Sequence, residues 1–309
     1  MSMATEYHIP ALLTQCMEGL HIKPDGVYVD ATLGGGGHAS ELLKRLGKQG
    51  KLIAFDQDEE VTSNPSTQNL LTDKRFIFVR SNFRFLTNFL KYHQIEKVDG
   101  ILADLGVSFS HFDSPERGFS FRFGDQKLDM RMNRQARLKA SDMLENYTEA
   151  QLADLFYYYG ELPNARRIAA AIVKARRQTD VTTAAGLTEV IEPILKKEDV
   201  KKDLSKLFMA IRIEVNDEMT ALRKFLLQCP AVLKPAGRIA VLSYHSLEDR
   251  LVKNFFKSGN FDGKIVQDFY GNKLVPFRLV NNKVIVADES EIAANPRARS
   301  AKLRIAEVK

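Results

Sequence analysis

The chain has no tryptophan and only two cysteines, Cys16 and Cys229, in 309 residues. Two cysteines so far apart argue against a disulfide framework or a cysteine-rich zinc site, and their scarcity fits a reducing cytosol. No metal-ligand cluster stands out, so no metal is expected. No uncharged apolar run reaches the length a bilayer crossing needs, and the N-terminus lacks the basic start and apolar stretch of an export leader. The expected compartment is therefore the cytoplasm, with no membrane partner. A Gly-x-Ser-x-Gly elbow and a phosphate-cradling Gly-Lys-Ser/Thr are also missing, which argues against a hydrolase or a kinase-like enzyme. There is no internal repeat and no low-complexity tract.

What is present is enough apolar material, 44% of residues, to bury a substantial core in one large domain or two of ordinary size. The net charge is +6. Basic residues gather at Arg131, Arg134, Arg137 and Lys139, at Arg166, Arg167, Lys174, Arg176 and Arg177, and at Arg297, Arg299, Lys302 and Arg304. One such group is an ordinary solvated face; three of them beside a cofactor-binding core point toward nucleic acid.

Apolar, β-branched runs at 27–31, 52–55, 76–79, 100–105 and 238–242 read as strands of a parallel sheet. Helical segments at 38–46 and 83–92 lie between the first four, the alternation of a doubly wound α/β fold. From about residue 110 to 204 the alternation stops. A capping box at Thr148 and Gln151 opens helical sequence with Leu152, Leu155, Phe156 and Tyr159 at helical spacing. Further helices are predicted at 164–177 and 184–197. The spacing assigns 1–112 with 205–309 to a cofactor-binding domain and 113–204 to an inserted helical domain for substrate recognition. The tyrosines of the insertion are expected in its core rather than as a stacking platform. A long helix over 204–227 returns the chain to the sheet, Pro235-Ala236-Gly237 turns into the fifth strand, and 302–306 reads as an edge strand. Asn64-Pro65 should shorten the start of the helix after the second strand.

The most informative stretch is Gly26-Val-Tyr-Val-Asp-Ala-Thr-Leu-Gly-Gly-Gly-Gly-His38, a strand that ends in a carboxylate and enters four glycines before a helix. Such a turn lets backbone approach a nucleotide-shaped cofactor, with helix N–H groups pointing at it. Gly34-x-Gly36-x-x-Ala39 loosely fits dinucleotide spacing. Asp30, however, would repel a pyrophosphate and attract the cationic amino-acid end of S-adenosylmethionine, so the sulfonium cofactor is favoured. The plainer alternative is a carboxylate that merely caps the turn.

Asp56, about twenty residues further on, sits where an acid accepts hydrogen bonds from ribose hydroxyls. Phe83 is placed either to cover an adenine face or to join the core. Asp104, at the fourth strand's end, either binds the methionine part or holds the hydrogens of an exocyclic amine so that its delocalised lone pair turns toward the methyl group. His245 stands at another strand end, among Ser243, Ser246, Glu248, Asp249 and Arg250, as a candidate catalytic side chain.

With those residues in view, the chain resembles, nearly end to end, the RsmH (MraW) family of S-adenosylmethionine-dependent ribosomal-RNA methyltransferases. The likeness rests on His8-Ile-Pro-Ala-Leu-Leu13, Asp30 to His38, Asp104-Leu-Gly-Val-Ser108, Arg117-Gly-Phe-Ser-Phe121 with Leu128-Asp-Met-Arg-Met132, Ala210-Ile-Arg-Ile-Glu-Val-Asn216, His245-Ser-Leu-Glu-Asp-Arg250 and Asn295-Pro-Arg-Ala-Arg-Ser-Ala301. The resemblance implies a Rossmann-like class I methyltransferase domain with a helical insertion. It implies methylation of the N4 amine of a cytidine in the decoding region of small-subunit (16S) ribosomal RNA, free or in the assembled 30S subunit. By matching positions it implies that Gly34, Gly36, Gly37 and His38 hold the methionine end beside Asp30, Asp56 the ribose, Phe83 the adenine side, and Asp104 and His111 the rest of the pocket. Arg117, Phe119, Asp129, Arg131, Ser246 and Arg250 would line the cytidine site, with Arg166 and Arg167 on the RNA. Where the family usually has glutamine and Ser-Phe-His, this chain has His111 and Ser243-Tyr-His245. A homodimer is left open, as are the same fold acting on DNA, an RNA-binding assembly factor that only senses the cofactor, and a nicotinamide dehydrogenase. The usual Asp/Asn-Pro-Pro-aromatic motif is absent at 104–107, against the DNA reading.

Overall fold

The computed structural model describes residues 10–107 and 109–309; His8, Ile9 and Ser108 of the motifs above lie outside the described residues. Two compact units result, Met1–Gly106 with Thr220–Lys309, and Val107–Met219.

In the first unit the elements are Leu13–Leu20 (α1), Val27–Asp30 (β1), Gly37–Arg45 (α2), Lys51–Asp56 (β2), Pro65–Leu71 (α3), Phe76–Arg80 (β3), Leu86–Tyr92 (α4) and Val98–Asp104 (β4). The second unit holds Phe109–Asp113 (α5), Ala140–Asn146 (α6), Glu149–Tyr158 (α7), Ala165–Ala175 (α8), Ala184–Ile191 (α9) and Val200–Asn216 (α10). Then follow Glu218–Val232 (α11), Leu233–Ser243 (β5), Ser246–Ser258 (α12), Phe277–Leu279 (β6), Ile285–Val286 (β7), Glu289–Ala294 (α13) and Lys302–Val308 (β8).

The sheet runs β3-β2-β1-β4-β5-β8-β6, with β7 also on β8. The first five strands are parallel, and β8 is antiparallel to β5 and β6. They are the five strands expected, and the α/β doubly wound fold stands. Winding proceeds from β1 through β2 to β3, then jumps across β1 to β4. The reversal between β1 and β4 is a switch point, where a crevice opens beyond the strands' carboxyl ends. Both sheet faces are covered, so strands such as β2 are buried almost throughout. Leu52, Ala54, Leu102, Ala240 and Leu303 pack with Met17 and Leu20 of α1 and Leu42 of α2. On the opposite face Phe55 meets Phe89 of α4 edge to face, ring centroids 5.9 Å apart.

β8 lies inside the sheet rather than at its edge. Its charges gave it the look of an edge strand, but each is neutralised sideways. Arg304 donates to Asp249 at 2.7 and 3.2 Å, and Glu307 accepts from Arg238 at 3.0 Å and from Arg278 at 2.5 Å. After β2 the α-helix starts only at Pro65, where a missing N–H costs nothing, and Asn64 caps it by accepting from the Ser66 N–H at 2.9 Å.

The second unit has its own core, built from Leu152, Leu155 and Phe156 of α7, Ile168 and Ile172 of α8, Leu187 and Ile191 of α9, and Leu207, Phe208 and Ile211 of α10. Thr148 and Gln151 form the expected reciprocal capping box. Two expectations change. The predicted helix over 204–227 is two helices, broken at Asp217, whose φ is 50°; aspartate tolerates that left-handed conformation, and no glycine or proline marks the break. Because α10 packs into the helical core, the unit runs to Met219 and not to about 204. Tyr157 and Tyr158, expected in the core, are 61% and 63% exposed.

Candidate active site

The acids at the strand ends fall where parallel strands must put them. Asp30 ends β1, Asp56 ends β2 and Asp104 ends β4, with Asp30 paired in register to Ala54 on one side and Leu102 on the other. Asp30 is 1% exposed. Its Oδ1 accepts from the Thr32 N–H at 3.0 Å, while Oδ2 has no hydrogen-bond partner among the described residues. Burial first, then the fields of Asp104 and Asp56, push its carboxyl up to about 8 against the opposing Thr32 hydrogen bond. Asp30 is thus mostly protonated at neutral pH, where the sequence had suggested a standing charge. A buried carboxyl oxygen with no donor is costly to leave unmatched, and a cation is the group that answers it.

The glycine loop is held by its neighbours. Asp56 accepts from the Gly34 N–H through Oδ2 at 2.9 Å and from the Asp58 N–H through Oδ1 at 2.9 Å. Gly36, φ 76°, is the N-cap of α2, and a Cβ there would come within 3.2 Å of Leu70 Cδ1; at Gly37 it would collide with the Pro10 ring. Both positions need glycine. Such a backbone cradle, beside an unmatched buried acid, fits the nucleoside and amino-acid ends of S-adenosylmethionine. Phe83 is half-buried and leans on Phe225 of α11, centroids 5.2 Å apart.

Asp104 is hydrogen-bonded through one oxygen and has the His38 ring beside the other. Oδ1 accepts from the Tyr244 hydroxyl at 2.7 Å. Oδ2 lies 3.5 Å from His38 Nδ1, whose Nε2 faces the Ala11 carbonyl at 3.1 Å. A carbonyl only accepts, so Nε2 carries a proton and Nδ1 is turned to Asp104. The Asp104 N–H donates to Thr32 Oγ1 at 2.6 Å. Burial, then the charge of Glu248, raise the Asp104 carboxyl against the lowering by His38 and Tyr244. Its side chain keeps 25% exposure, enough for a ligand to reach it. Tyr244 itself is raised far above the ordinary phenol range, chiefly by burial and then by Asp104, so it remains a donor. Cys16 is likewise held as a neutral thiol by burial.

His245 is the N-cap of α12. Its Nε2 is 3.2 Å from Glu248 Oε1, and Glu248 Oε2 accepts from the Tyr244 N–H at 3.0 Å. Ser246 and Arg250 are exposed on the first turns of the same helix. Asp30, Gly34, Gly36, Gly37, His38, Asp56, Phe83, Asp104 and His245 are therefore all carried by the first unit, at the ends of its strands or just after them.

The remaining expected residues belong to the second unit. His111 is buried and stacked on Phe119, centroids 4.8 Å apart and planes 11° from parallel. Arg117 is only 2% exposed, and its guanidinium donates to the carbonyls of Arg131 and Met132 at 3.0 and 3.3 Å. Asp129 and Arg131 form a bidentate pair at 2.8 and 2.7 Å, and Arg131 also donates to the carbonyls of Arg134 and Ala136. Arg117, Asp129 and Arg131 are thus tied to their own loop, with Phe119 stacked beneath it on His111. Asn216 pins that loop by accepting from the Met132 N–H at 2.7 Å and donating to the Met130 carbonyl at 2.8 Å. Arg166 and Arg167 are exposed on α8.

Sequence reasoning gave no role to Tyr244 or Thr32 and named Glu248 only as a neighbour of His245. The only signal for Tyr244 was its place directly after β5, where the family likeness has phenylalanine.

Residues 5–309 match the family described as MraW methylase. A protein of Bacteroides fragilis, "Ribosomal RNA small subunit methyltransferase H", is 57% identical over 305 residues, 99% of this chain and 98% of the relative. Proteins of the same name from Bacteroides thetaiotaomicron and Flavobacterium johnsoniae are 57% and 52% identical, covering 98% of both chains and 99% of both chains respectively. With the glycine cradle, the strand-end acids and a likeness that leaves almost no residue unmatched, this chain belongs to the MraW methylase family.

Proposed function

We propose that this methyltransferase carries the methyl group of S-adenosylmethionine to small-subunit ribosomal RNA, at the N4 amine of a cytidine in the decoding region. The relatives' shared name supports the RNA, and the observation that carries the chemistry is the clamped carboxyl of Asp104 at the switch point, between His38 and Tyr244. S-adenosylmethionine, when bound, supplies an electrophilic methyl group on a sulfonium. Every other part falls to the chain. Asp30 receives the ammonium on Oδ2, Asp56 accepts from the ribose hydroxyls while it holds Gly34, and Phe83 covers the adenine.

Asp104 accepts a hydrogen of the cytosine amine and so fixes the direction of the nitrogen's lone pair. Fixing an acceptor in advance is worth more than basicity here, because the amine becomes acidic only as it is alkylated. His38 and Tyr244 act through Asp104, as positioning residues that keep its carboxylate plane from turning. His245, tied to Glu248, stands at the β5–α12 junction to take part in holding the base, with Ser246 and Arg250 beside it. Arg166 and Arg167 meet RNA phosphates.

The test is transfer of labelled methyl to small ribosomal subunits, naked ribosomal RNA and DNA in parallel, followed by mapping of the modified base. Label on a cytidine N4 of the small-subunit RNA is expected; label on DNA alone, or none on any of the three, overturns the proposal. Asp104→Ala should abolish transfer in a folded protein, and near-normal turnover would remove Asp104 from the mechanism.

A further inference from the structure

The link between α7 and α8 joins two features that nothing in the reaction above uses together. Tyr157 and Tyr158 end α7, and their rings, 5.2 Å apart and 79° from parallel, are 61% and 63% exposed. Leu155 and Phe156, just before them on α7, are buried. The chain then turns through 159–164 and enters α8 with Arg166 and Arg167 exposed in its first turn. α7 and α8 pack on each other through Leu152, Leu155 and Phe156 against Ala165, Ile168 and Ala169, so the tyrosines and the arginines share the connecting end of one helical hairpin. From Ala165 to Arg177 the sequence contains Arg166, Arg167, Lys174, Arg176 and Arg177 and no acid, the connecting turn before it holding Glu161. Of these, Arg176 is turned inward to the carbonyls of Leu144 and Tyr147 at 2.7 and 2.6 Å, while Lys174 and Arg177 are exposed.

We infer that this corner is a second RNA contact, away from the reacting nucleotide, which stacks one or two unpaired bases on Tyr157 and Tyr158 and holds the adjoining phosphates with Arg166 and Arg167. It rests on the reading of RNA as the substrate. Flat aromatic faces beside an acid-free cationic helix are the two components of single-strand recognition: the rings take any base, and the guanidinium groups follow the backbone. An acidic protein surface would use the arginines but would gain little from two tyrosine faces. Duplex RNA, its bases already stacked, would likewise bypass them.

The experiment compares wild type, Tyr157→Ala/Tyr158→Ala, Tyr157→Phe/Tyr158→Phe and Arg166→Ala/Arg167→Ala in binding to single-stranded and to duplex RNA at several salt concentrations, and in methyl transfer to small-subunit RNA. The alanine pair should weaken single-strand binding roughly tenfold or more, raise KM with kcat unchanged, and leave duplex binding and the salt slope as they were. The phenylalanine pair should restore affinity, since it keeps the rings. The arginine pair should weaken both and reduce the single-strand salt slope by about 1.4. Wild-type transfer to RNA together with an unchanged KM and affinity in the tyrosine pair overturns the corner while leaving the enzyme reading intact. Loss through the arginine pair alone, equal on duplex and single strand, assigns the surface to charge only and also overturns it. Absence of transfer by wild type strikes instead at the substrate.

Discussion

With the ammonium on Asp30 as proposed, cofactor binding becomes a proton-release reaction. Burial pushes the Asp30 carboxyl up to about 8, so at pH 7 most of the unliganded molecules hold the proton. An ammonium at about 4 Å, in surroundings of effective dielectric about 20, is worth about 4 kcal/mol to the charged form. That energy moves the titration down by roughly three pH units. Near neutrality the bound form is therefore ionised and the unbound form is not. The sign follows: the higher the pH below about 8, the smaller the cost of removing the proton and the tighter the binding. Affinity for S-adenosylmethionine should fall close to tenfold for each pH unit from 7.5 down to about 5.5. The range is read below 7.5 because the ligand's own amine loses its charge above it. Titration calorimetry at pH 7 in two buffers of different ionisation heat should report release of the greater part of a proton per cofactor bound. Asp30→Asn should bind weakly, with the slope and the proton release both gone. A wild-type affinity that is flat across this range, or binding with no proton released, refutes the placement of the ammonium on Asp30.

Three further outcomes are expected. Tyr244→Phe removes a hydroxyl that donates to the charged form of Asp104 at 2.7 Å, a bond worth about 1.5–3 kcal/mol; the Asp104 carboxyl rises, and the acidic limb of the kcat/KM profile should move up by about one to two pH units, an unmoved limb in a folded variant showing that the bond does no tuning. Gly36→Ala places a Cβ within 3.2 Å of Leu70 at φ 76°, costs about 1–2 kcal/mol in backbone strain, and should lower cofactor affinity in calorimetry while circular dichroism stays native. Thr148→Ala deletes one half of the α7 capping box and should reduce unfolding free energy in urea by about 1 kcal/mol, with kcat unaffected.

How far the sequence disclosed this protein depended on whether the signal was local. Asp30, Asp56 and Asp104 could be placed because a parallel strand ending in an acid is visible in a handful of residues, and the sheet then gathers such ends on one side. The bond between Tyr244 and Asp104 could not, since it joins the ends of β5 and β4 across 140 positions. The break at Asp217 was hidden because aspartate enters the left-handed region without the glycine that usually announces it. The bonds that tie Arg117, Asp129 and Arg131 within one loop were equally hidden, because an unpaired charge and a paired one look alike in a string of letters. The interior position of β8 was masked by charges whose partners, Asp249, Arg238 and Arg278, come from other elements.

That last placement bears on synthesis. β8 leaves the ribosome after every other strand of the sheet, yet it must slide between β5 and β6. Until it arrives, β5 displays an uncovered row of backbone donors and acceptors, the kind of surface to which stray strands adhere. The helical segment 107–219 is contiguous and has its own core, so it is ready to condense while the sheet still waits. A chain shortened before Lys302 should accordingly be recovered as aggregate, although every acid of the crevice would be present in it.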